Sequence, residues 1–443
     1  MAISNFPASL QMIIQQGMLE REFHQALRSV LAYRSVCDRE GFAVRIGETL
    51  TKTRMGLLAT ATTPLSVTQL GSAAASTASM LDNGMTPKVL NAEQYTITIN
   101  EYADTINLNI VGEQVGIANQ FVQNAIAQGE QAARTLDQLA RNALFAPYMS
   151  GNTKVISGTG TSIQVDDVRG FQQVYLNGVQ GAVSPGRTLT VVIGAGTYVV
   201  TGVVPDATNI SLAPQGVSGV LTLSTAVSAG DSAVNSPVSS ATAQTIIRPN
   251  ARISTGALTA TDLLTMSALL DAKAALEKNA VPKIDGFYHC FLDPVSQRQL
   301  FADPDFKQLF QGATMENEYF KRGMMYAPTL GLRMIPTTEA YVQTIGAGVV
   351  RRPIVCGQGA LIEGDFEGNT TSTLGDGDFD VSVVDGISYI VRAPLDRLKQ
   401  NVAQSWAWIG GFVAPTDITT NPNTISTATN AAYKRAVVIE HIG

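Results

Sequence analysis

The chain comprises 443 residues, of which 45% are hydrophobic and 15% charged, with a formal net charge of −6. That length exceeds a single ordinary core and predicts roughly two or three folding units. The acidic balance, with a pI near 5.2, excludes the basic footprint that grips nucleic acid through its phosphates, so contact with double-stranded DNA is expected to be weak and nonspecific.

Soluble domains carry about 25% charged residues, so the low charged fraction predicts surface hidden against partners. Cys37, Cys290 and Cys356 are scattered, form neither a disulfide framework nor a paired metal motif, and fit a reducing compartment. The first cation is Arg21, so the start lacks the charged segment of a secretion signal. Residues 55–81 carry no charge but are interrupted by Pro64, Gln69 and Gly71, and fail as a membrane span. A cytosolic product where it is made, with no membrane partner, is the expectation.

Residues 8–31 place Leu10, Ile14, Phe23, Leu27 and Leu31 on one stripe, an amphipathic helix with Gly17 as its weak point. It precedes any obvious core and reads as an arm that docks elsewhere, or as a first helix packed on its own domain. Residues 45–100 read as an excursion: an extended segment leaves through 44–54, an uncharged tip follows, and a return strand enters at Gln94. With each leg extended for about 25 residues, the reach is on the order of 80 Å, enough to cross a neighbouring subunit. A disordered surface loop is the alternative.

Tyr95, Ile97 and Ile99, then Ile106, Leu108 and Ile110, alternate at period two and run into a period-3.6 pattern over 114–146. That helix carries Ile117, Phe121, Ala125, Leu136, Ala140 and Leu144 near one side and spans about 50 Å. Gly129 is expected to bend it, and Pro147 to stop it. A long loop, a strand and a long helix without a catalytic cluster point to the joining of subunits rather than to chemistry.

Residues 151–250 contain eight charges and no Cys, Met or Trp. Their short β-branched runs, separated by Gly, Pro, Asn and Asp turns, predict a small β-sandwich or barrel inserted as a separate domain. Farther on, Thr261 and Asp262 are expected to cap a helix running to Lys278, with Leu263, Leu264, Leu269, Leu270 and Leu276 as its apolar face. A strand at 287–292 hands over through Asp293-Pro294 to helical 295–301. Strands are also expected at 331–336, 355–363, 379–393 and 435–441, with a Trp-rich run at 402–413.

Certain stretches stand out together: the strand-to-helix junction at 94–145, the block Gly-Phe-Tyr-His-Cys-Phe-Leu-Asp-Pro at 286–294, and Leu-Phe-Ala-Asp-Pro-Asp-Phe at 300–306. With them go Gly-Leu-Arg-Met-Ile-Pro-Thr at 331–337, Gln-Ser-Trp-Ala-Trp-Ile-Gly-Gly at 404–411 and Tyr-Lys-Arg-Ala-Val-Val-Ile-Glu at 433–440. In order and spacing this set resembles the major capsid proteins of tailed double-stranded DNA bacteriophages with the Hong Kong 97-type fold, and more closely the branch typified by coliphage N-four. The resemblance covers most of the chain except the β-rich insert.

The resemblance implies an α+β fold. Its parts would be an N-terminal arm at 1–44, an E-loop at 45–100 and a P domain with its spine helix at 101–152. An inserted all-β, sandwich-like domain would follow at 153–252, then an A domain at 257–372 and P-domain return strands at 373–443. It implies a coat protein rather than an enzyme, one that self-assembles through pentamers and hexamers into an icosahedral shell around double-stranded DNA. It further implies assembly in the host bacterial cytoplasm, residence in the virion capsid, and scaffolding, portal and cement proteins as partners, with no cofactor. A surface adhesin or envelope lattice protein with a β-rich binding domain is the alternative reading.

Residue-level chemistry is sparse. Asp376, Asp378 and Asp380 have the spacing of a calcium loop, but Val381 stands where that loop needs Gly and Ile387 where it needs Glu. His289 and Cys290, adjacent on a half-buried strand, point to opposite faces and do not pair as base and nucleophile. The histidines His24, His289 and His441 lack zinc-ligand spacing, and Gly194-Ala-Gly196 lacks the third glycine of a dinucleotide fingerprint. No catalytic, cofactor-binding or metal residue is expected. Trp406 and Trp408 share one strand face, as core or interface anchors or as a sugar-stacking platform. Lys52, Arg54 and Lys88 flank the uncharged tip, and Glu130 and Asp137 on the long helix are their candidate partners in assembly. An exposed pair of this kind contributes only about 0–1 kcal/mol.

Overall fold

The computed structural model describes residues 18–28, 32–42, 49–54, 93–109, 120–149, 152–168, 171–176, 179–206, 218–240, 246–251, 258–278, 280–311, 331–345, 348–366, 379–394, 400–414 and 435–443. The first elements are α1 (Met18–Arg28), a 3-10 turn (Tyr33–Val36), β1 (Cys37–Phe42), β2 (Thr49–Arg54), β3 (Glu93–Thr98), β4 (Asn100–Asn109) and the long helix α2 (Gln120–Met149). A run of strands follows: β5 (Asn152–Thr159), β6 (Ser162–Val165), β7 (Gln173–Leu176), β8 (Val179–Ala182), β9 (Leu189–Ile193), β10 (Gly196–Pro205), β11 (Gly219–Leu223) and β12 (Pro237–Ser240). Next come α3 (Met266–Lys278), β13 (Tyr288–Leu292), α4 (Pro294–Ala302), α5 (Pro304–Gln311), β14 (Leu332–Pro336), β15 (Val342–Ile345), β16 (Gly348–Arg351) and β17 (Ile354–Cys356). The last are β18 (Leu361–Phe366), β19 (Phe379–Val384), β20 (Ile387–Arg392), β21 (Asn401–Val413), β22 (Ala436–Val438) and β23 (His441–Ile442).

The 30 residues of α2 make a rod about 45 Å long. Of its expected stripe Phe121, Ala125, Leu136, Ala140 and Leu144 are all inside, and Ile117 lies outside the described residues. Gly129 has a different task from bending. Helix α1 crosses there, and a Cβ on Gly129 would stand 2.7 Å from the Phe23 carbonyl oxygen and 2.9 Å from the Ala26 Cβ. The bare backbone lets two helices approach. Nor does Pro147 end the helix, which runs to Met149; in a last turn a proline removes one hydrogen bond without interrupting further turns.

Against α2 lies a sheet in the order β1-β18-β21-β20-β19, with β4 also paired to β21. The pairing of β1 with β18 is parallel; the other pairs are antiparallel. Along β21 burial alternates, and Val402, Gln404, Trp406 and Trp408 face inward. One core joins Val402, Trp406 and Trp408 to Leu19, Phe23 and Leu27 of α1, to Phe121, Ala125 and Leu136 of α2, and to Ile387, Tyr389 and Val391 of β20. Ala140 and Leu144 of α2 enter a second core with Tyr33 and Phe291. Helix α1 is therefore packed on its own chain, with Phe23 stacked on Tyr389 at 4.7 Å. The strands expected over 379–393 form a hairpin, turned where Asp385 and Gly386 take φ of 54° and 82°, the left-handed pair that a tight two-residue turn needs.

The β-rich stretch closes on itself. Its strands form a barrel in the order β10-β11-β6-β5-β12-β9, one of the two forms its turn spacing allowed, in place of the sandwich-like form that the resemblance implied. Short β12 pairs with both β5 and β9, so the sheet has no free edge at that seam. Register shifts in β5 and β10 add the local twist that curls a small sheet. Its core is its own, including Val155, Ile163, Val165, Val191, Ile193, Leu221 and Val238. The chain then returns through Ile247, bridged in parallel to Ile439.

A second α/β layer contains the sheet β14-β13-β17-β22 and the smaller sheet β15-β16-β23. All five residues of β13 are buried; it lies between β14 and β17, so His289 and Cys290 are core residues rather than half-buried ones. Helix α3 begins at Met266, later than expected. Thr265 Oγ1 accepts the Ala268 N–H at 3.4 Å and Asp303 takes the Met266 N–H at 2.6 Å, while Asp262 instead binds the Thr259 N–H and the Asn250 side chain. Leu264, Leu269 and Leu276 are buried, but Leu263 (42%) and Leu270 (38%) are exposed. Leu263 precedes the helix, and Leu270 lies about 100° around it from Leu269.

Candidate assembly elements

The foot of the 45–100 excursion is a two-stranded ribbon. Strands β2 and β3 run antiparallel, from Thr49 opposite Thr98 to Arg54 opposite Glu93. Such a ribbon is marginal alone in water. This one is rooted by Ile97, buried with Ile362, while Leu50, Ile99, Phe366 and Val413 pack around them. A Cβ on Gly411 of β21 would lie 1.9 Å from the Thr98 carbonyl oxygen. The ribbon is thus seated on β18 and β21. Its tip, 55–92, lies outside the described residues, as do Lys88 and the side chain of Arg54.

Lys52 meets Glu40 of β1, Nζ to Oε2 at 3.1 Å, with both side chains partly exposed. That contact replaces the expected one with Glu130 or Asp137. The reason is topological: β1 is paired with the same β18 that holds the ribbon. Glu130 is exposed on α2. Asp137 is wholly buried, and its Oδ1 accepts the N–H groups of Ala32 at 2.9 Å and Tyr33 at 2.7 Å. The 3-10 turn has no side-chain cap of its own, so the helix α2 supplies one. Burial pushes the Asp137 carboxyl up to about 6 against the lowering effect of the Tyr33 and Ala32 amides.

Asp137 therefore belongs to the interior of its own chain, which corrects its place as a partner of the excursion, and Trp406 and Trp408 take the core position of the alternatives open to them. The indole N–H of Trp406 donates to Gln131 Oε1 at 3.4 Å, and Trp408 lies between Tyr102 and Phe412 at centroid distances of 5.9 and 5.2 Å. No face of either ring is free for a sugar. Two amides bolt α2 to β21: Gln128 donates to the Gln404 carbonyl at 2.7 Å, and Gln404 donates to the Phe121 carbonyl at 3.0 Å.

Buried ion pairs fasten the chain ends, and no local pattern announces them. Arg34 meets buried Glu363 at 2.6 Å and, toward the surface, Asp385 at 3.0 Å, where exposed Arg39 also reaches Asp385 at 2.8 Å. Glu440 accepts from Arg248 at 2.7 Å and Arg352 at 2.9 Å. Burial alone would raise the Glu440 carboxyl; the Arg248 and Arg352 guanidiniums outweigh it and hold it at about 2.

Asp293, Ser296 and His441 have the residue types of a nucleophilic triad. Ser296 Oγ lies 2.7 Å from His441 Nε2 and bonds Asp293, which also pairs with Arg351. The carboxylate holds the serine rather than the histidine, and all three side chains are buried. A triad needs an accessible nucleophile and a histidine oriented by the acid; this trio ties the start of α4 to β23. Burial pushes the Cys290 thiol up to about 12, so it is not a thiolate at neutral pH. Among the described residues, no group of three His, Cys, Asp or Glu side chains is placed to hold a metal ion. Residues 376–378 of the calcium-like spacing lie outside the described residues. Among those described, no helix is long and apolar enough to cross a membrane.

No protein-family model matches the sequence, and no curated protein matches it. Among solved structures it is similar to a chain of the capsid of Ralstonia phage GP4, with 11% identity, 94% of this chain and 92% of that chain covered, and a TM-score of 0.51. The cyanophage Pam1 capsid asymmetric unit matches at 11% identity over 95% and 92% of the two chains, with a TM-score of 0.45. The capsid structure of cyanophage P-SCSP1u matches at 11% identity over 94% and 89%, with a TM-score of 0.43. The α+β fold of this chain, taken nearly end to end, is one found in a bacteriophage capsid.

Proposed function

We propose that this chain is a major capsid protein that self-assembles into the icosahedral head shell of a tailed bacteriophage around double-stranded DNA. The observation that carries the reading is the fold shared with the Ralstonia phage GP4 capsid chain over 94% of this chain and 92% of that one. A ribbon seated at its root and a rigid helix backed by a sheet support it, since reach and stiffness are what a thin shell asks of each subunit. In this reading the fold is Hong Kong 97-type, of the coliphage N-four-like branch. Residues 1–44 are the arm, 45–100 the E-loop, 101–152 and 373–443 the P domain with α2 as spine, 257–372 the A domain, and 153–252 an inserted domain.

Subunits associate as pentamers and hexamers through many modest interfaces, each burying on the order of 1,600 Å². Scaffolding, portal and cement proteins are the further partners. The acidic charge of −6 keeps contact with packaged DNA weak and nonspecific, and the virion, assembled in the host cytoplasm, is its location. Expression of the full chain followed by light scattering and electron microscopy tests the reading. Megadalton shells, or capsomers of five and six, are the expected result; a monomer that stays solitary under all associating conditions overturns it.

A further inference from the structure

The seat of the N-terminal segment on α2 is built around one acid. Asp137 uses Oδ1 to accept two main-chain N–H bonds, from Ala32 and Tyr33, while Oδ2 is buried without a hydrogen-bond partner. An ionised carboxylate accepts hydrogen bonds at both oxygens, and a buried charge with one oxygen unmet is costly. The neutral acid keeps the oxygen that caps the turn and removes a buried charge that the main-chain N–H groups of Tyr33, Ala32 and Arg34 favour but do not fully offset.

We propose that Asp137 is a proton-operated latch: protonation in mildly acidic solution tightens residues 32–36 onto α2, and ionisation at neutral pH loosens them. The turn it holds has a docked half on either side. Before it, α1 packs on α2 and Tyr389; after it, β1 pairs with β18, and Arg34 of the turn itself enters the buried pair with Glu363. Loosening the turn therefore weakens the link between both halves.

The surrounding groups favour this behaviour. From the N-terminal segment Tyr33 and Cys37 approach, both neutral because burial raises them. On α2 itself, Arg141 lies one turn along and donates to the Glu339 carbonyl oxygen at 2.8 Å. From the segment after β14, the Glu339 carboxylate, held by Arg134 at 3.0 Å and Gln138 at 2.8 Å, adds a like charge. Burial opposes ionisation first, the amides favour it, and Glu339 opposes it, for a net rise from 3.8 to about 6. A carboxyl raised by folding binds its proton more tightly in the closed seat. The stabilisation is complete below the unfolded value and is lost as pH rises through the folded one.

Hydrogen exchange followed by mass spectrometry on the full chain, at about pH 5 and about pH 7.5 with intrinsic rates corrected, reads the latch directly. Amides 32–36 should open about tenfold less at the lower pH, with barrel amides as the internal reference. Asp137→Asn keeps the capping oxygen without the charge, so its opening should be slow and equal at both pH values. Asp137→Ala loses the cap and should open readily at both. Glu339→Gln should retain a smaller pH ratio. A pH-independent wild type, or an Asp137→Asn variant with the wild-type ratio, overturns the proposal; the Asn variant decides it even if the Ala variant does not fold.

Discussion

Gly411 of β21 and Thr98 of β3 approach closer than any side-chain-bearing residue permits, since a Cβ at 411 would fall 1.9 Å from the Thr98 carbonyl oxygen. The ribbon that begins the long excursion is therefore seated by backbone against backbone. Its only wholly buried side chain among those described is Ile97.

Gly411→Ala cannot be relieved by a rotamer, because both sides of the clash are main chain. The ribbon root or β21 must shift, at about 1–3 kcal/mol. Urea titration should show that loss, and limited proteolysis should show faster cleavage near 93–98. Unchanged stability together with unchanged protection would mean that the ribbon is not seated there.

Trp408→Ala should cost about 3–5 kcal/mol, the usual loss for emptying a buried aromatic site. Trp408→Phe should cost much less. The indole N–H has no hydrogen-bond partner, and a phenyl ring still stacks between Tyr102 and Phe412. Equal losses for both variants in chemical denaturation would place the missing energy in the indole N–H instead.

Glu440→Gln leaves Arg248 and Arg352 buried beside a neutral amide, and removal of one partner from a buried ionic group costs about 3–5 kcal/mol. The carboxyl is depressed from 4.5 to about 2 in the fold. Its contribution is thus complete above the unfolded value and lost as pH falls through about 2. Wild-type stability should decline between those two pH values, and the decline should be shallower in the variant. Parallel acid profiles would contradict the assignment.

The barrel should fold alone. Its core cluster contains only residues between Val155 and Val238, and its strands close without a free edge. A fragment spanning 152–240 should give one cooperative thermal transition and β-type circular dichroism. A fragment that is unfolded or insoluble under all conditions would make the barrel dependent on the rest of the chain.

Local pattern was enough for most elements. The α2 stripe, the Trp-bearing strand, the Asp293-Pro294 helix start and the many short strands of 152–240 all follow from period, turn residues and caps, which neighbouring residues set among themselves. Where the reading failed, a distant segment had intervened. Gly129 looked like a bend in a helix until α1 crossed it, and Leu270 looked like core until α3 took its rotation from the sheet beneath. Asp137 looked like a surface charge until the amides of Ala32 and Tyr33, more than a hundred residues earlier in sequence, closed over it.

What the sequence determined by itself is which segments are helix or strand and which residue types are scarce, because hydrophobic periodicity is written in adjacent positions. The tertiary structure alone decided which charges are buried in pairs, which glycines admit a second backbone, and that the β-rich stretch closes into a barrel. Those outcomes depend on contacts between residues far apart in the chain, as between Arg34 and Glu363, and burial has no meaning until such segments have met.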